Sequence, residues 1–215
     1  KNITESYAAQ YHEVLTGFKW IAKLINDHPE LDFVGGGEES FGYMVGDFVR
    51  DKDAATATLL ACEIAAQMKS NGSSFYEKLL ELYTEYGLYR EELISLVKKG
   101  MDGESQIKQM MVDLRENPLS EINGEKIVLI EDYQSSEAKN LQDHTKHSLD
   151  IPKSNVLIYY TEEGTKIAAR PSGTEPKIKF YISVNTELNS IEEFEETSQQ
   201  LKEKIVKIKS DLHLD

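Results

Sequence analysis

The hydrophobic periodicity of this chain changes once along its length, and that change constrains the fold more than any other feature. Before about residue 117 the apolar residues recur at helical spacing, whereas residues 177–184 alternate one by one. Ile178, Phe180, Ile182 and Val184 then share one face of a strand. The sequence therefore predicts a largely helical first part followed by an antiparallel sheet with a helix on one face.

Start and stop signals give the individual elements. Helices are predicted over residues 17–27, 53–71, 74–87 and 104–116, with a short strand at 31–34. Strands are predicted at 126–130, 156–160, 166–169 and 177–184, and Ser190 opens a last helix. Residues 132–150 are polar without periodicity and predict a surface loop. Pro118 ends the fourth helix, which predicts domains at 1–117 and 118–215.

The charge balance limits the partners. The chain has 38 acidic and 24 basic residues, a net charge of −14, so its long-range field repels polyanions and nucleic acid is not expected as a partner. No apolar run approaches the roughly 20 residues of a membrane span, and we expect a cytoplasmic protein without a membrane partner. The single Cys62 rules out an intrachain disulfide and is expected to be a buried thiol in a helix.

The loop before the last predicted strand has the chemistry of a phosphate-binding site. Arg170, the hydroxyls of Ser172 and Thr174, and the backbone at Gly173 can donate hydrogen bonds to one anion. Alternation places Lys179 on the non-core face of the following strand, within reach of the same anion. An ordinary tight turn is the alternative, because Pro, Ser and Gly also mark simple loops.

A second glycine-rich stretch, residues 35–42 (GGGEESFG), offers acceptors instead of donors. Glu38 and Ser40 could accept hydrogen bonds from sugar hydroxyls while the glycines allow close backbone approach. A flexible acidic turn is the alternative.

His144 and His147 lie three residues apart in the predicted loop, with Asp143 and Asp150 nearby. A metal site needs further ligands on a rigid frame, and solvated histidines are the favoured interpretation. No metal ligands are predicted in this chain.

Several of these stretches together resemble one family. TGFKWI at 16–21, GGGEESFGY at 35–43, GDFVRDKDA at 46–54 and RPSGTEPKIKFYI at 170–182 are similar to the carboxy-terminal portion of the α-D-phosphohexomutases, especially the bacterial phosphoglucomutase/phosphomannomutases; YGLYREEL at 86–93, interpreted as helical, fits too. The resemblance implies a partial third α/β domain in residues 1–117. It implies a fourth, α+β domain in residues 118–215, a TATA-binding-protein-like antiparallel sheet with helices.

The resemblance also implies an activity. Such an enzyme interconverts hexose 1-phosphate and hexose 6-phosphate through a phosphoserine and a hexose 1,6-bisphosphate. It implies that Lys19 contacts the substrate as a catalytic residue and that Glu38 and Ser40 bind sugar hydroxyls. The implied phosphate-binding residues are Arg170, Ser172, Gly173, Thr174 and Lys179.

Two other motifs of that family are not found in this sequence: the serine loop of type TASHN and the magnesium loop of type DGDGDR. We therefore expect Mg²⁺ and glucose 1,6-bisphosphate to act in the full-length enzyme, with neither bound by this chain's own residues. The expected partners are a hexose phosphate and the missing amino-terminal domains of the same enzyme, and the chain alone is expected to be inactive. A non-catalytic sugar-phosphate binding module, a phosphopentomutase and a generic acidic interaction domain remain alternatives.

Overall fold

A computed structural model describes residues 1–38, 41–98, 100, 102–173 and 175–214. The chain forms two compact units, Lys1–Leu82 and Tyr83–Asp215. Among the described residues, no helix combines the length and the apolar character needed to cross a bilayer.

The described residues of the first unit form four helices and one hairpin. The helices are α1 (Asn2–Ser6), α2 (Phe18–Asp27), α3 (Ala54–Ser70) and α4 (Phe75–Tyr86), whose last turn enters the second unit; the hairpin joins β1 (Gly35–Gly37) to β2 (Tyr43–Val45). A small core of Phe18, Ile21 and Met44 packs α2 against the hairpin. The strand predicted at residues 31–34 is wrong, because the extended backbone that finds an antiparallel partner begins at Gly35.

Local capping signals in this unit are confirmed. The Asp53 carboxylate accepts hydrogen bonds from the N–H groups of Ala55 and Thr56 at the start of α3. Ser74 Oγ accepts from the N–H of Glu77 at 3.2 Å, which is one half of a capping box, while the Glu77 carboxylate accepts from the Ser73 hydroxyl. The predicted burial of α3 is not observed, because none of its described side chains is buried. The expectation that Cys62 is a buried thiol is wrong, since its side chain is exposed.

The second unit is built on one antiparallel sheet. Its long strands are β3 (Leu88–Val97), β5 (Glu125–Asp132), β8 (Leu157–Thr161), β9 (Lys166–Pro171) and β10 (Lys177–Thr186). Shorter ones are β4 (Glu121–Ile122), β6 (Glu137–Asn140) and β7 (Lys146–Ser148). The strand order is β3-β10-β9-β8-β5-β6-β7, with β4 paired to β5.

Helices α5 (Gly103–Glu116) and α6 (Phe194–Asp211), the latter preceded by a 3₁₀ turn at Ile191–Glu193, pack on one face of this sheet. The predicted alternation in β10 is confirmed: Ile178, Phe180, Ile182 and Val184 are all at most 2% exposed and belong to the core. Lys179 therefore lies on the opposite, open face of the sheet.

Two stretches adopt structures that the sequence did not predict. Residues 86–93, expected to be helical, contribute mainly to β3, which pairs with β10 along ten residue positions. Residues 132–150, expected to be a loop, include β6 and β7, and these extend the sheet beyond β5. Long-range pairing thus outweighs local propensity in both places.

The division into units also differs from the predicted boundary at residues 117 and 118. Both β3 and α5 precede Pro118 in sequence, yet β3 pairs with β10 and α5 packs in the same core. The compact units consequently meet at Leu82 and Tyr83.

Candidate functional site

The turn between β9 and β10 places two cations directly opposite each other. Arg170 on β9 and Lys179 on β10 are register partners in the antiparallel ladder, so their side chains project from the same open face. Like charges in this position destabilise a sheet unless a counter-charge lies between them. Among the described residues neither side chain makes a salt bridge. The pair is therefore suited to binding an anion.

The turn that follows Arg170 is closed by its own backbone. Ser172 N–H donates to the carbonyl of Lys177 at 2.8 Å, and Lys177 N–H donates to the carbonyl of Glu175 at 2.7 Å. Gly173 is exposed, and a Cβ added there would meet nothing within 4 Å. The outer side of the turn is thus open to a ligand. Thr174 lies outside the described residues.

Lys177 differs from the other two cations of the turn because it is already paired. Its Nζ lies 2.8 Å from Glu175 Oε2. The hydrogen bond and charge of Lys177, together with the charge of Lys179, lower the pKa of Glu175 below its ordinary value. Glu175 is therefore ionised at neutral pH, and Lys177 contributes little uncompensated charge to the turn.

The glycine-rich hairpin of the first unit holds Glu38 at the start of α2. Glu38 N–H donates to the carbonyl of Gly42 at 3.0 Å, which closes the hairpin end. One Glu38 carboxylate oxygen accepts from the N–H of Gly17, the residue preceding α2. A carboxylate at this position is stabilised by the helix dipole. Ser40 lies outside the described residues.

Close packing fixes the hairpin on the helix. A Cβ at Gly42 would lie 2.6 Å from the ring of Phe18, so only glycine fits there without rearrangement. Gly17 has φ of +120°, a conformation open to glycine and strained for other residues. These two glycines let Glu38 reach the first turn of α2.

Lys19 lies on that same first turn and is exposed, with Nζ 5.3 Å from the centre of the Trp20 ring. The structure therefore brings Lys19 and Glu38 to the same end of α2. Arg170, Ser172, Gly173 and Lys179 are brought together at one turn of the second unit.

Sequence reasoning missed three contacts that shape these loops: Gly17 to Glu38, Lys177 to Glu175, and a bond from the Lys98 N–H to the carbonyl of Pro176. Two of them join partners distant in sequence through a backbone N–H, whereas the Lys177–Glu175 pair joins side chains two residues apart. Only the Lys177–Glu175 pair carried a visible signal, namely opposite charges two residues apart.

The described residues contain no group of three or more His, Cys, Asp or Glu side chains placed to hold a metal ion. His144 lies in a turn with φ of +59°, and His147 is exposed on β7. Asp143 is engaged by the hydroxyl of Thr145 at 2.7 Å. The magnesium ion that the family resemblance implies thus has no fitting donor set among the described residues of this chain.

Comparison with known proteins supports the family prediction. Residues 1–86 match the family model described as phosphoglucomutase/phosphomannomutase, alpha/beta/alpha domain III. The chain is 38% identical over 202 residues to a phosphoglucomutase of Staphylococcus haemolyticus, covering 94% of this chain and 36% of that protein. It is 41% identical over 187 residues to a Staphylococcus aureus (strain MRSA252) phosphoglucomutase, covering 86% of this chain and 33% of that protein.

A solved structure, the open form of the exocytosis-sensitive phosphoprotein pp63/parafusin (phosphoglucomutase) from Paramecium, shares the fold. Its TM-score is 0.59 at 17% identity, covering 87% of this chain and 31% of that chain. The chain spans about a third of the length of the curated relatives it matches. The predicted fold class, an α/β third-domain portion followed by an antiparallel sheet with helices, is confirmed.

Proposed function

Because this chain corresponds to the carboxy-terminal portion of an α-D-phosphohexomutase, we propose that it supplies the substrate-holding parts of a phosphoglucomutase/phosphomannomutase. In the full-length enzyme the substrate would be a hexose monophosphate. The β9–β10 turn would bind the phosphate that is not being transferred, and the hairpin with Glu38 and Ser40 would bind sugar hydroxyls. The observation that carries this proposal is the register pairing of Arg170 with Lys179.

The charges fit a phosphate dianion. Arg170 can present two parallel N–H donors to phosphate oxygens, and Lys179 adds a point charge on the same face. Ser172 and the exposed Gly173 follow Arg170 in the same turn. A local cluster of this kind can bind a small anion even though the whole chain is strongly acidic.

Isomerisation by two phosphoryl transfers requires the sugar ester to be held in two opposite orientations. Separate elements for hydroxyls and for phosphate serve both orientations, because neither element touches the reacting phosphate. Glu38, held by the Gly17 N–H through one oxygen, keeps its second oxygen for a hydroxyl. Lys19, at the same helix end, would contact the substrate and assist proton transfer.

Calorimetric titration of the 215-residue chain with inorganic phosphate and with α-D-glucose 1-phosphate tests the phosphate assignment. Arg170→Ala is expected to weaken binding of both ligands at least tenfold. Lys207→Ala removes the same charge from the exposed side of α6 and is the matched control, expected to bind like the parent. Equal binding by the parent and Arg170→Ala would refute the assignment.

The catalytic activity of this chain needs a test separate from ligand binding. We expect this chain alone to produce no glucose 6-phosphate from α-D-glucose 1-phosphate in a dehydrogenase-coupled assay with Mg²⁺ and glucose 1,6-bisphosphate. The phosphoserine and the metal would come from loops that this sequence does not contain. A steady rate proportional to chain concentration, and lost in Arg170→Ala, would contradict this part of the proposal.

A further inference from the structure

The phosphate-binding turn, which is the β9–β10 turn with the flanking Arg170 and Lys179, is tied to the end of β3 through Pro176. The N–H of Lys98, just after β3, donates to the carbonyl of Pro176 at 2.9 Å. Pro176 directly precedes Lys177, whose carbonyl receives the Ser172 N–H that closes the turn. A displacement of Lys98 would thus be passed through Pro176 to the hydrogen bond that shapes the turn.

Gly103, the first residue of α5, packs directly against the backbone of Lys98. Gly103 is buried, and a Cβ added there would lie 2.2 Å from the carbonyl oxygen of Lys98 and 3.1 Å from Cβ of Pro176. Contacts of 2.2 Å to a backbone atom cannot be relieved by rotating a side chain. The absence of a side chain at Gly103 therefore allows α5 to start directly beneath both Lys98 and Pro176.

We infer that Gly103 and the Lys98 N–H are positioning elements for the phosphate-binding turn. Neither is assigned to touch the ligand. They set the place of Pro176 and, through the neighbouring Lys177, the hydrogen bond from the Ser172 N–H that closes the turn. This inference rests on the proposed function for the identity of the ligand. The positioning of the turn by Gly103 and Lys98 is a property of the chain itself and can be tested without a ligand.

The test uses three variants of the 215-residue chain. Gly103→Ala introduces the clash. Lys98→Pro removes the N–H donor while leaving Val97 in the extended conformation that a residue before proline prefers. Lys98→Ala is the matched control, because it removes the side chain and keeps the N–H. Folding of each variant is checked by its amide NMR spectrum.

Two readouts are measured. The first is hydrogen exchange at the Ser172 amide, with the Ile127 amide, bonded to the Ser120 carbonyl, as a reference in the same unit. The second is the dissociation constant for inorganic phosphate. We expect Gly103→Ala and Lys98→Pro to speed Ser172 exchange at least tenfold and to weaken phosphate binding by a similar factor. Ile127 exchange stays within twofold, and Lys98→Ala resembles the parent in both readouts.

The outcomes separate the inference from the proposed function. Parent-like Ser172 exchange in folded Gly103→Ala and folded Lys98→Pro overturns the inference. Should one of the two variants fail to fold, the other decides. Accelerated Ser172 exchange together with no phosphate binding by the parent supports the positioning role and refutes the phosphate assignment. Accelerated exchange with undiminished phosphate binding shows that the geometry of the turn is not needed for affinity, and it also overturns the inference.

Discussion

Charge at the β9–β10 turn is determined by individual residues. Arg170 and Lys179 face each other without a salt bridge among the described residues, whereas Lys177 is neutralised by Glu175 at 2.8 Å. Glu175 is exposed and negative, and it lies near enough to Lys179 for that charge to lower its pKa. A phosphate dianion entering the turn would therefore meet one repulsive group.

Removing that group should strengthen phosphate binding. Glu175→Gln keeps the shape of the side chain, removes the negative charge and releases Lys177, so we predict about threefold tighter binding of inorganic phosphate at low salt. The gain should shrink as ionic strength rises. Titration calorimetry at two salt concentrations measures both effects, with Glu187→Gln, beyond the other end of β10, as control. Weaker binding by Glu175→Gln would show that Glu175 supports the site.

A second residue-scale network stabilises the second unit. Glu125 is 3% exposed and accepts hydrogen bonds from the hydroxyls of Thr161 at 2.6 Å and Thr165 at 2.8 Å. Lys204 on α6 completes an ion pair with it. Burial alone would raise the pKa of Glu125, but the hydrogen bonds from Lys204, Thr161 and Thr165 and the charge of Lys204 lower it below its ordinary value of 4.5.

This lowered pKa predicts acid sensitivity. The ionised Glu125 contributes stability above pH 4.5, its unfolded value, and that contribution is lost as the pH falls through the lower folded value. Glu125→Ala leaves Lys204 without this buried partner and should cost about 3 kcal/mol of unfolding free energy at pH 7. Urea unfolding at pH 7 and pH 3 measures this, with exposed Glu121→Ala on β4 as control. A cost that is the same at both pH values would contradict the assignment.

For single residues, the sequence predicted the features that depend on simple hydrophobic periodicity. Lys179 was placed on the open face by alternation alone. Arg170 was assigned to the loop before that strand, whereas it lies on β9 opposite Lys179. The Gly17 bond to Glu38 could not be predicted, because it joins residues 21 positions apart through a backbone N–H. The packing of Gly103 against the Lys98 carbonyl was equally invisible, because local sequence does not show which backbone atoms approach a glycine.

Among the elements, β3 shows why local sequence patterns did not predict every strand. Residues 86–93 contain Leu, Arg and Glu, which favour helices, yet β3 forms a ten-residue ladder with β10. β6 and β7 were missed for a different reason: they are only four and three residues long and carry charged side chains. In contrast, α2, α3, α5 and β10 were predicted closely because each has a clear period or a cap.

Helix α6 provides the element-scale test of the core. Ile205 is fully buried against the sheet, whereas the next residue, Val206, is 60% exposed. Ile205→Ala should lower the unfolding free energy by about 2–5 kcal/mol, because it leaves a cavity in close-packed surroundings. Val206→Ala, one position along the same helix, should change it by about 0.5 kcal/mol or less. Chemical denaturation distinguishes the two; similar losses would mean that α6 is packed differently.

For the whole chain, the β9–β10 turn proposed to bind phosphate lies in the unit Tyr83–Asp215, together with Lys98 and Gly103. That unit has its own sheet, both packing helices and the Tyr83–Phe194 ring stack at 6.0 Å. We predict that residues 83–215 alone fold cooperatively and bind inorganic phosphate within threefold of the full chain. Thermal unfolding and titration of this shorter chain check the prediction. A shorter chain that folds but no longer binds phosphate would show that the first unit contributes to that site.

The family could be predicted from the sequence because its two loop motifs are specific and occur in order. The boundary between the two units could not be predicted, because it depends on the pairing of β3 with a strand about ninety residues later. Sequence patterns predict local capping and alternation well, but they do not show which strand a charged edge segment will pair with.

If the turn between β9 and β10 binds phosphate, the backbone amides that respond to added phosphate must lie in that turn. Amide chemical shifts of the 215-residue chain should be followed by NMR as inorganic phosphate is added. We expect saturable shifts centred on Arg170, Ser172, Gly173 and Lys179, and we expect them to be abolished in Arg170→Ala. Shifts centred elsewhere, or unchanged in Arg170→Ala, would contradict it.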